Sequence, residues 1–402
     1  MTGNFWASER AKAMPASVFA TMDRAKTAAR AKGLELIDLS IGSSDLAPPR
    51  AALQALREAS SDPQTYGYCL HSGTAELREA AVAWYAERYG LSLNPDTNAL
   101  PLIGSQEGLA NLLFAVTDPG DTAVLPDPAY PSYFGAVALA GLQTVTTPLL
   151  EANGFLPDLS AIAAGDAKRA KVMIISYPNN PTAATATPAF MADAVAFCAA
   201  NGVLLVHDFP YVDTVFGDYE APSILTQPGG LEVGVELYSC SKSFHMGGFR
   251  LGWALGNADA LAALAQVKSA VDFNQYLGIQ RAAVAALAQP RHETRRGAAE
   301  FERRRDALVD TLNAAGWTTP LPRASMYVWT RLPGGLSDSF DFCVGLAEAT
   351  GVCLAPGRGF GSRGEGYVRF ALVREPEVLA RAVERIRTFL KDNSPGTFPK
   401  SM

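Results

Sequence analysis

Short runs of apolar and β-branched residues recur between about residues 100 and 256, separated by longer segments whose apolar positions have helical spacing, such as 105–117 and 188–200. Several runs are apolar throughout, which is typical of strands covered on both faces. We predict strands at 100–103, 122–126, 144–149, 171–176, 203–208, 235–239 and 251–256. The alternation of strands and helices indicates an α/β domain with a mostly parallel sheet.

The pattern changes after about residue 283 and predicts a smaller α+β domain. The elements expected there are a long charged helix at 293–315, short strands at 327–329, 352–354 and 367–372, and a final helix. We therefore predict three parts: an N-terminal arm that also contributes to the small domain over 1–45, a large domain over 46–285, and a small C-terminal domain over 286–402.

Composition restricts the possible function classes. The chain has 402 residues, of which 48% are hydrophobic and 18% charged, so it can form two globular domains. The net charge is −6 and no long block of one sign occurs. The densest basic run (Arg303, Arg304, Arg305) lies in a helical pattern, and we interpret it as a solvated helix face rather than a nucleic-acid-binding surface. No apolar stretch reaches membrane-spanning length.

Five cysteines and four histidines are scattered without the spacing of a metal site, so we predict no bound metal. The number of cysteines is odd, and the start of the chain lacks the charged and apolar regions of a secretory signal. Together these features favour reduced thiols and a cytoplasmic location. The sequence also shows no internal repeat, which excludes repeat architectures.

Polar and charged residues collect where the predicted strands end, which is where open α/β sheets place their functional residues. Lys242 lies just after the run VELYS, and a lysine shielded from water can lose its proton and attack a carbonyl carbon. Asp208 ends the run VLLVHD, and Arg250 follows two glycines. The stretch GSQEGL (104–109) predicts a helix N-terminus, whose backbone amides suit a phosphate group.

Pyridoxal phosphate is a cofactor whose chemistry uses this whole set. It bonds covalently to a lysine and acts as an electron sink while a carboxylate keeps its ring nitrogen protonated, and Lys242 and Asp208 fit these two roles. The further contacts that we predict are Ser105, Gln106, Arg250 and either Ser239 or Ser241 for the phosphate, Asn180 and Tyr211 for the phenolic oxygen, and Tyr130 for the face of the ring.

The sequence resembles the fold-type I aminotransferases of class I/II over roughly residues 35–390. The motifs that carry the resemblance, in the family's order and spacing, are YGYCLHSGTAELR (66–78), GSQEGL (104–109), PDPAYPSY (126–133), YPNNPT (177–182), HDFPY (207–211), SKSFHMGGFRLGW (241–253), ASMYVW (324–329) and YVRF (367–370). The sequence looks most similar to the branch that holds the alanine–glutamate and LL-diaminopimelate aminotransferases. The resemblance implies a seven-stranded, mostly parallel sheet covered by helices, with a smaller α+β domain.

The resemblance also implies roles for single residues. Lys242 would anchor the cofactor and carry the proton, and Asp208 would pair with the pyridine nitrogen. Tyr211 and Asn180 would hold the phenolic oxygen. Arg369 would bind the substrate α-carboxylate through two parallel hydrogen bonds, which a lysine does poorly, and Asn180 would touch the same carboxylate.

Two further implications concern the pocket and the assembly. The backbone of Gly42 would line the substrate pocket, and Tyr68 would reach the cofactor phosphate of a neighbouring subunit, so a homodimer is the expected form. The sequence departs from the family pattern at Ala183, where glycine is usual, at Arg358, where a small residue is common, and at His245, where asparagine is frequent.

The expected reaction is a ping-pong transamination, in which an amino acid gives its amino group to the cofactor and a 2-oxo acid then takes it. A carbon–sulfur β-lyase on the same scaffold stays open as an alternative, since scaffold and cofactor do not fix the reaction. A regulatory module that senses the cofactor would need a DNA-binding segment, and the first 40 residues are too short for one.

The choice of donor is predicted from the segment 269–280, which we expect to line the pocket. Aspartate-specific relatives generally bring a second arginine to the side-chain carboxylate of the substrate, and this segment contains no basic residue. A buried carboxylate without a cation is costly to desolvate. The segment offers Asn274, Gln275 and Tyr276 instead, so we predict that alanine or LL-diaminopimelate is a better donor than aspartate, with 2-oxoglutarate or pyruvate as acceptor.

Overall fold

A computed structural model describes residues 6–14, 18–70 and 72–392 of the chain. The strands are β1 (Ile37–Asp38), β2 (Ala99–Leu102), β3 (Thr122–Asp127), β4 (Gln143–Pro148), β5 (Ala170–Ile175), β6 (Leu204–Asp208), β7 (Gly234–Ser239), β8 (Gly252–Gly256), β9 (Tyr327–Arg331), β10 (Val352–Cys353), β11 (Ala355–Pro356) and β12 (Tyr367–Ala371). Each of the seven strands predicted between residues 100 and 256 is confirmed to within one residue at either end.

The helices cover the sheets and connect their strands. They are α1 (Glu9–Lys12), α2 (Val18–Ala31), α3 (Arg50–Ser60), α4 (Ala75–Tyr89), α5 (Ser105–Val116), α6 (Pro131–Ala140), α7 (Ala164–Arg169), α8 (Pro188–Asn201), α9 (Gly230–Val233), α10 (Cys240–Ser243), α11 (Ala258–Ser269), α12 (Leu277–Leu287), α13 (Arg291–Ala314), α14 (Ser339–Thr350) and α15 (Pro376–Asp392). Local signals set many of the ends: α8, for example, begins after the N-cap Thr187 and ends at Gly202 in the left-handed conformation.

The central sheet has seven strands in the order β2-β8-β7-β6-β5-β3-β4. Strand β8 is antiparallel to both of its neighbours, and the other pairs in the sheet are parallel, as predicted. Successive side chains of β6 enter opposite hydrophobic clusters, Leu205 with α4, α8 and α12 and Val206 with α5, α6 and α11. Both faces are therefore buried, which explains the continuous apolar runs in the sequence.

A second body of structure follows the central sheet and confirms the predicted α+β pattern. Strands β11, β12 and β9 form an antiparallel sheet, and β1 pairs with β10 in parallel. Their hydrophobic cluster includes Met22 and Ala25 of α2 together with side chains of α13, α14 and α15. The N-terminal region thus packs with the C-terminal one, while the predicted domain bounds at 45 and 285 stay a prediction.

The interpretation of the basic run as a solvated face is wrong for two of its three arginines. The side chain of Arg303 is 50% exposed, but those of Arg304 and Arg305 are only 1% and 8% exposed. Both buried guanidinium groups form ion pairs with several carboxylates, which makes their burial possible.

Neither a membrane-spanning helix nor a metal-binding cluster is found in the described part of the chain. Across residues 6–14, 18–70 and 72–392, no helix combines the length and apolar composition that a membrane crossing needs. Within the same ranges, no cluster of three or more His, Cys, Asp or Glu side chains is arranged to hold a metal ion.

Candidate active site

A cavity of about 490 Å³ opens at the carboxyl ends of the parallel strands and faces the small antiparallel sheet. Parallel strands end at the same edge of a sheet, so residues far apart in sequence meet there. The predicted site residues that line the cavity are Gly42, Ser105, Gln106, Tyr130, Asn180, Asp208, Tyr211, Ser239, Ser241, Lys242, Arg250 and Arg369. Tyr68 does not line it, and its residue surface is 84% exposed.

Asp208 is a buried carboxylate at the end of β6. Its Oδ2 atom accepts a hydrogen bond of 2.6 Å from the hydroxyl of Tyr133, and Oδ1 has no hydrogen-bond partner among the described residues. Burial raises the pKa of Asp208 to about 6, although the bond from Tyr133 acts in the opposite direction. A cationic N–H group placed at Oδ1 would favour the charged carboxylate.

Lys242 lies on the one-turn helix α10, directly after β7. Ser239 caps this turn, because its Oγ accepts a hydrogen bond of 3.1 Å from the backbone N–H of Ser241. The Nζ atom of Lys242 donates to the backbone carbonyl of Gly42 and lies 5.7 Å from the centre of the Tyr211 ring. The amine therefore projects into the cavity, close to Gly42 and Tyr211.

Two buried tyrosines form a pair across the cavity. The hydroxyls of Tyr211 and Tyr327 are 2.9 Å apart. Burial and the neighbouring Tyr327 raise the pKa of Tyr211. Burial alone would also raise the pKa of Tyr327, but the charges of Lys242 and Arg369 outweigh it and lower that pKa. A methyl group added at Gly42 would overlap the Tyr327 hydroxyl, so the close approach requires glycine.

Arg369 is buried in β12, where its guanidinium is fixed from two sides. Nη1 donates to Oδ1 of Asn180 at 2.7 Å, and Nη2 donates to the carbonyl of Ser40 at 2.8 Å. The group also stacks on the rings of Tyr327 and Phe360, at 4.1 and 4.6 Å from their centres. Its Nε has no partner among the described residues, so the group keeps donors for a substrate carboxylate.

The N-terminus of α5 forms another wall of the cavity. Gly104 precedes the helix with φ of 82° and no side chain caps the first turn. Arg250 lies against this end: a Cβ atom at Gly104 would stand 2.6 Å from Nη2 of Arg250, whose Nη1 donates to the carbonyl of Gly247 at 2.9 Å. The hydroxyl of Tyr130 reaches Oε1 of Gln106 at 3.4 Å. The uncapped amides and the guanidinium together suit an anionic group.

The lining residues that sequence reasoning missed include Tyr133, Ser176 and Tyr327. Tyr133 and Tyr327 belong to the motifs PDPAYPSY and ASMYVW, which supported the family resemblance without suggesting contacts. A buried tyrosine generally needs a polar partner for its hydroxyl, and this need was the available signal.

The expectation that Asn274, Gln275 and Tyr276 line the pocket is wrong for the cavity formed within one chain. Gln275, for example, uses its amide on the carbonyls of Leu102 and Arg250. Buried backbone carbonyls need donors, and this need turns the side chain away from the cavity.

The three departures from the family pattern lie outside the cavity wall. Arg358 is 63% exposed in its side chain, and its nearest carboxylate, Glu365, is 3.8 Å away. His245 contacts Ser44 through Nδ1 at 2.9 Å, and burial lowers its pKa to about 4. Ala183 has φ of 57°, a left-handed conformation that glycine adopts without the steric cost of a side chain.

Comparisons with known proteins agree with this geometry. The family model for aminotransferase class I and II matches residues 35–386. The chain is 43% identical to an LL-diaminopimelate aminotransferase of Syntrophobacter fumaroxidans, covering 95% of this chain and 98% of that one. The structure of a probable N-succinyldiaminopimelate aminotransferase from Thermus thermophilus is 50% identical with a TM-score of 0.89, covering 92% and 100% of the two chains.

A more distant solved structure shares the same fold. The aspartate aminotransferase from Thermus thermophilus with maleate is 28% identical, with a TM-score of 0.88 and coverage of 96% of this chain and 100% of that chain. The family match spans most of the sequence, and the relatives match over nearly their full lengths. The chain therefore belongs to the class I and II aminotransferases, and it is an enzyme that transfers amino groups between amino acids and 2-oxo acids.

Proposed function

We propose that this aminotransferase binds pyridoxal phosphate in the cavity described above. The observation that carries the proposal is the buried carboxylate of Asp208, whose Oδ1 atom has no described partner, in the same cavity as the amine of Lys242. The hydroxyl of Ser176 is another buried polar group without a described partner there. The uncapped N-terminus of α5 beside Arg250 suits the phosphate.

When bound, pyridoxal phosphate supplies an electron sink for the electron pair left at the substrate Cα. Asp208 would hold the proton on the ring nitrogen, and Tyr133 would keep the carboxylate oriented through its hydrogen bond. Tyr211 and the amide nitrogen of Asn180 would donate to the phenolic oxygen, since Oδ1 of Asn180 already accepts from Arg369.

Two cations of the cavity would act on the substrate. Arg369, already oriented by Asn180 and the carbonyl of Ser40, would bind the α-carboxylate and align the Cα–H bond. Lys242, once released from the cofactor, would move the proton from Cα to the C4′ carbon of the cofactor, and in the opposite direction in the second half-reaction.

Borohydride reduction of the enzyme, followed by peptide mapping, tests the cofactor assignment. The label should be found on Lys242, and Lys242→Ala should keep cofactor through the phosphate contacts while losing almost all turnover. Lys268 is a suitable comparison because it is fully buried but bonded to Asp272 at 2.7 Å. A label on Lys268 or on any other lysine contradicts the proposal.

For the donor, the charges of the cavity favour alanine or LL-diaminopimelate over an acidic amino acid. The cations that line the cavity in the described chain are Lys242, Arg250 and Arg369, and each has a role in the proposal above. The side-chain carboxylate of aspartate or glutamate would therefore lack a cation, whereas the distal carboxylate of LL-diaminopimelate has its own ammonium group beside it. Asp23 also lines the cavity and suits the distal ammonium of LL-diaminopimelate. Its carboxylate lies 3.6 Å from the amine of Lys26, which is bonded more closely to Asp38 at 2.8 Å.

The curated relative from Syntrophobacter is named for LL-diaminopimelate and the solved relative from Thermus for the N-succinylated compound. Succinylation converts the distal ammonium into a neutral amide whose succinyl chain ends in a carboxylate, which Asp23 would repel. We therefore place LL-diaminopimelate above its N-succinyl derivative as donor, with 2-oxoglutarate or pyruvate as acceptor. The β-lyase alternative gains no support from these relatives.

Steady-state kcat/KM for alanine, LL-diaminopimelate, its N-succinyl derivative and aspartate, each with the same acceptor, tests this choice. Aspartate or the succinylated donor in first place by about tenfold, roughly 1.4 kcal/mol of transition-state preference, contradicts it. Asp23→Asn should lower kcat/KM for LL-diaminopimelate and leave alanine unchanged. Pyruvate and ammonia released without an acceptor would indicate the lyase instead.

We also propose a homodimer, because one chain exposes an apolar surface near the cavity. The exposed side chains include Tyr66, Tyr68, Leu70, Val271 and Phe273. The rings of Tyr68 and Phe273 are 5.2 Å apart, so the two segments form one surface. A second copy of the chain on this surface would bring its Tyr68 toward the phosphate end of the cavity.

A further inference from the structure

The segment 40–45 runs beside the catalytic cavity and touches two of its principal cations. The carbonyl of Ser40 accepts a hydrogen bond of 2.8 Å from Arg369, and the carbonyl of Gly42 accepts one from Lys242. A shift of this segment would therefore move the acceptors of both side chains together. The start of the segment is fixed, because the backbone of the preceding Leu39 is hydrogen bonded to both β10 and β12.

Two side chains hold the far end of the segment: His245, whose Nδ1 lies 2.9 Å from the hydroxyl of Ser44, and Arg304 of α13, which binds Asp45. Its guanidinium has five N–H groups, and the structure gives it five hydrogen bonds. The acceptors are Oε1 of Glu300 at 2.7 Å, Oδ1 and Oδ2 of Asp45 at 2.7 and 3.0 Å, the carbonyl of Leu372 at 3.1 Å and Oε1 of Glu375 at 2.7 Å.

The position of Arg304 links this contact to the substrate site. Its side chain is only 1% exposed, so loss of a partner would leave a buried charge less well compensated. The Leu372 carbonyl lies three residues after Arg369, just beyond β12. The same guanidinium therefore fixes the 40–45 segment relative to the strand that carries Arg369. A lysine has three donors on one nitrogen and cannot form the two parallel bonds that Nη1 and Nη2 of Arg304 donate to Asp45.

We propose that Arg304 is a positioning residue for transamination, which holds the 40–45 segment against Lys242 and Arg369 through the carboxylate of Asp45. Arg304 itself does not line the cavity. The inference rests on the proposed function only for the roles of Lys242 and Arg369. Failure of the borohydride experiment would overturn those roles, whereas the comparisons below test the link between Arg304 and substrate binding.

The test compares holoenzyme variants in which the bond to the segment is changed. Arg304→Lys and Asp45→Asn should each raise KM for the amino donor at least about tenfold, with kcat within about threefold, because substrate and transition state lose the same binding. The KM of the double variant should exceed that of either single variant by no more than about twofold, because both substitutions remove the same interaction. The dissociation constant of an unreactive 2-methyl amino acid, followed by cofactor absorbance, should rise with KM.

Two controls separate positioning from stability. Arg305→Lys alters the neighbouring buried arginine, which is bonded to Glu302, Asp306 and the carbonyl of Pro322 and has no described bond to the segment. Arg305→Lys should lower the melting temperature about as much as Arg304→Lys does, without changing KM by more than about twofold. Glu375→Gln removes a carboxylate from Arg304 but leaves the bond to Asp45, and it should likewise leave KM unchanged.

The proposal is overturned if Arg304→Lys and Arg305→Lys change KM equally, or if Asp45→Asn leaves both KM and the inhibitor dissociation constant unchanged. Should Arg304→Lys fail to fold, the comparison of Asp45→Asn with Glu375→Gln decides alone. Asp45 is 32% exposed in its side chain, so its neutral variant is the milder change.

Discussion

Asp208 and Tyr327 depart from their ordinary pKa values in opposite directions because different neighbours surround them. Burial raises the pKa of Asp208 to about 6, and the bond from Tyr133 offsets only part of this effect. For Tyr327, burial is outweighed by the charges of Lys242 and Arg369, which lower the pKa. One cavity thus contains an acid that holds its proton more tightly and a phenol that holds it less tightly than usual.

A first prediction concerns Asp208 in the cofactor-free protein. The pKa is raised from 3.8 to about 6 in the folded state, so the folded state binds this proton more tightly than the unfolded state. Its contribution to stability is therefore present below about pH 4 and lost as the pH rises through about 6, by about 3 kcal/mol. Asp208→Asn has no such proton to lose. The free energy of unfolding of the variant should therefore increase relative to that of the wild type as the pH rises from about 4 through about 6.

Denaturant unfolding of both cofactor-free proteins at several pH values measures this difference. A difference that stays constant between about pH 4 and 7 would contradict the raised pKa. In the loaded enzyme the same substitution should lower kcat by about 10²- to 10³-fold, with Asp208→Glu between the variant and the wild type. Full activity of Asp208→Asn would remove this residue from the mechanism.

Among the secondary-structure elements, the start of α5 contributes most directly to the proposed phosphate site. The helix begins after Gly104, whose positive φ turns the chain out of β2 without a side chain. Gly252 of β8 passes against the same turn: a Cβ atom there would be 3.2 Å from the backbone nitrogen of Ser105. The amides and Arg250 are thus brought together by packing at the sheet edge.

A second prediction tests this element. Gly104→Ala should weaken the binding of pyridoxal phosphate about tenfold or more, because the added methyl group displaces the guanidinium of Arg250. Binding of pyridoxal, which lacks the phosphate, should change by less than about threefold. Gly141→Ala is the matched control, since its φ of 76° imposes similar strain while its nearest neighbour is Pro119 at 3.5 Å. Equal weakening of both ligands would contradict the assignment.

At the scale of the whole molecule, one chain supplies the cavity but leaves Tyr68 on an exposed apolar surface. In a two-fold dimer, each copy presents the same surface to the other. A residue that does not reach the cavity of its own chain can therefore reach that of the partner. The proposed dimer therefore predicts complementation between two inactive variants.

The third prediction uses Lys242→Ala and Tyr68→Ala chains that are mixed, unfolded and refolded together. If Tyr68 serves the neighbouring subunit, every mixed dimer contains one fully native site, and about a quarter of the wild-type activity should return. If Tyr68 serves its own chain, no mixed site is native and the activity stays near that of the Tyr68→Ala protein. Sedimentation that shows an active monomer would also contradict the dimer.

The sequence by itself determined the seven strands of the central sheet and the residues at their ends. Continuous apolar runs predict doubly covered strands, and the carboxyl ends of parallel strands meet at one edge. For this reason Asp208, Lys242 and Arg250 could be assigned to one site before any distance was known. Asp208 ends β6, whereas Lys242 and Arg250 follow β7. The topology of the sheet brings these two strand ends together.

Only the tertiary structure decided which polar groups satisfy one another. The sequence gives no sign that Gln275 turns to two backbone carbonyls or that Tyr327 pairs with Tyr211. Likewise, the helical pattern around Arg304 and Arg305 predicts a solvated face, whereas carboxylates brought from distant positions such as Asp45 and Glu375 make burial of Arg304 possible. Hydrogen bonds and ion pairs between distant segments depend on the packed positions of both partners, which local periodicity does not encode.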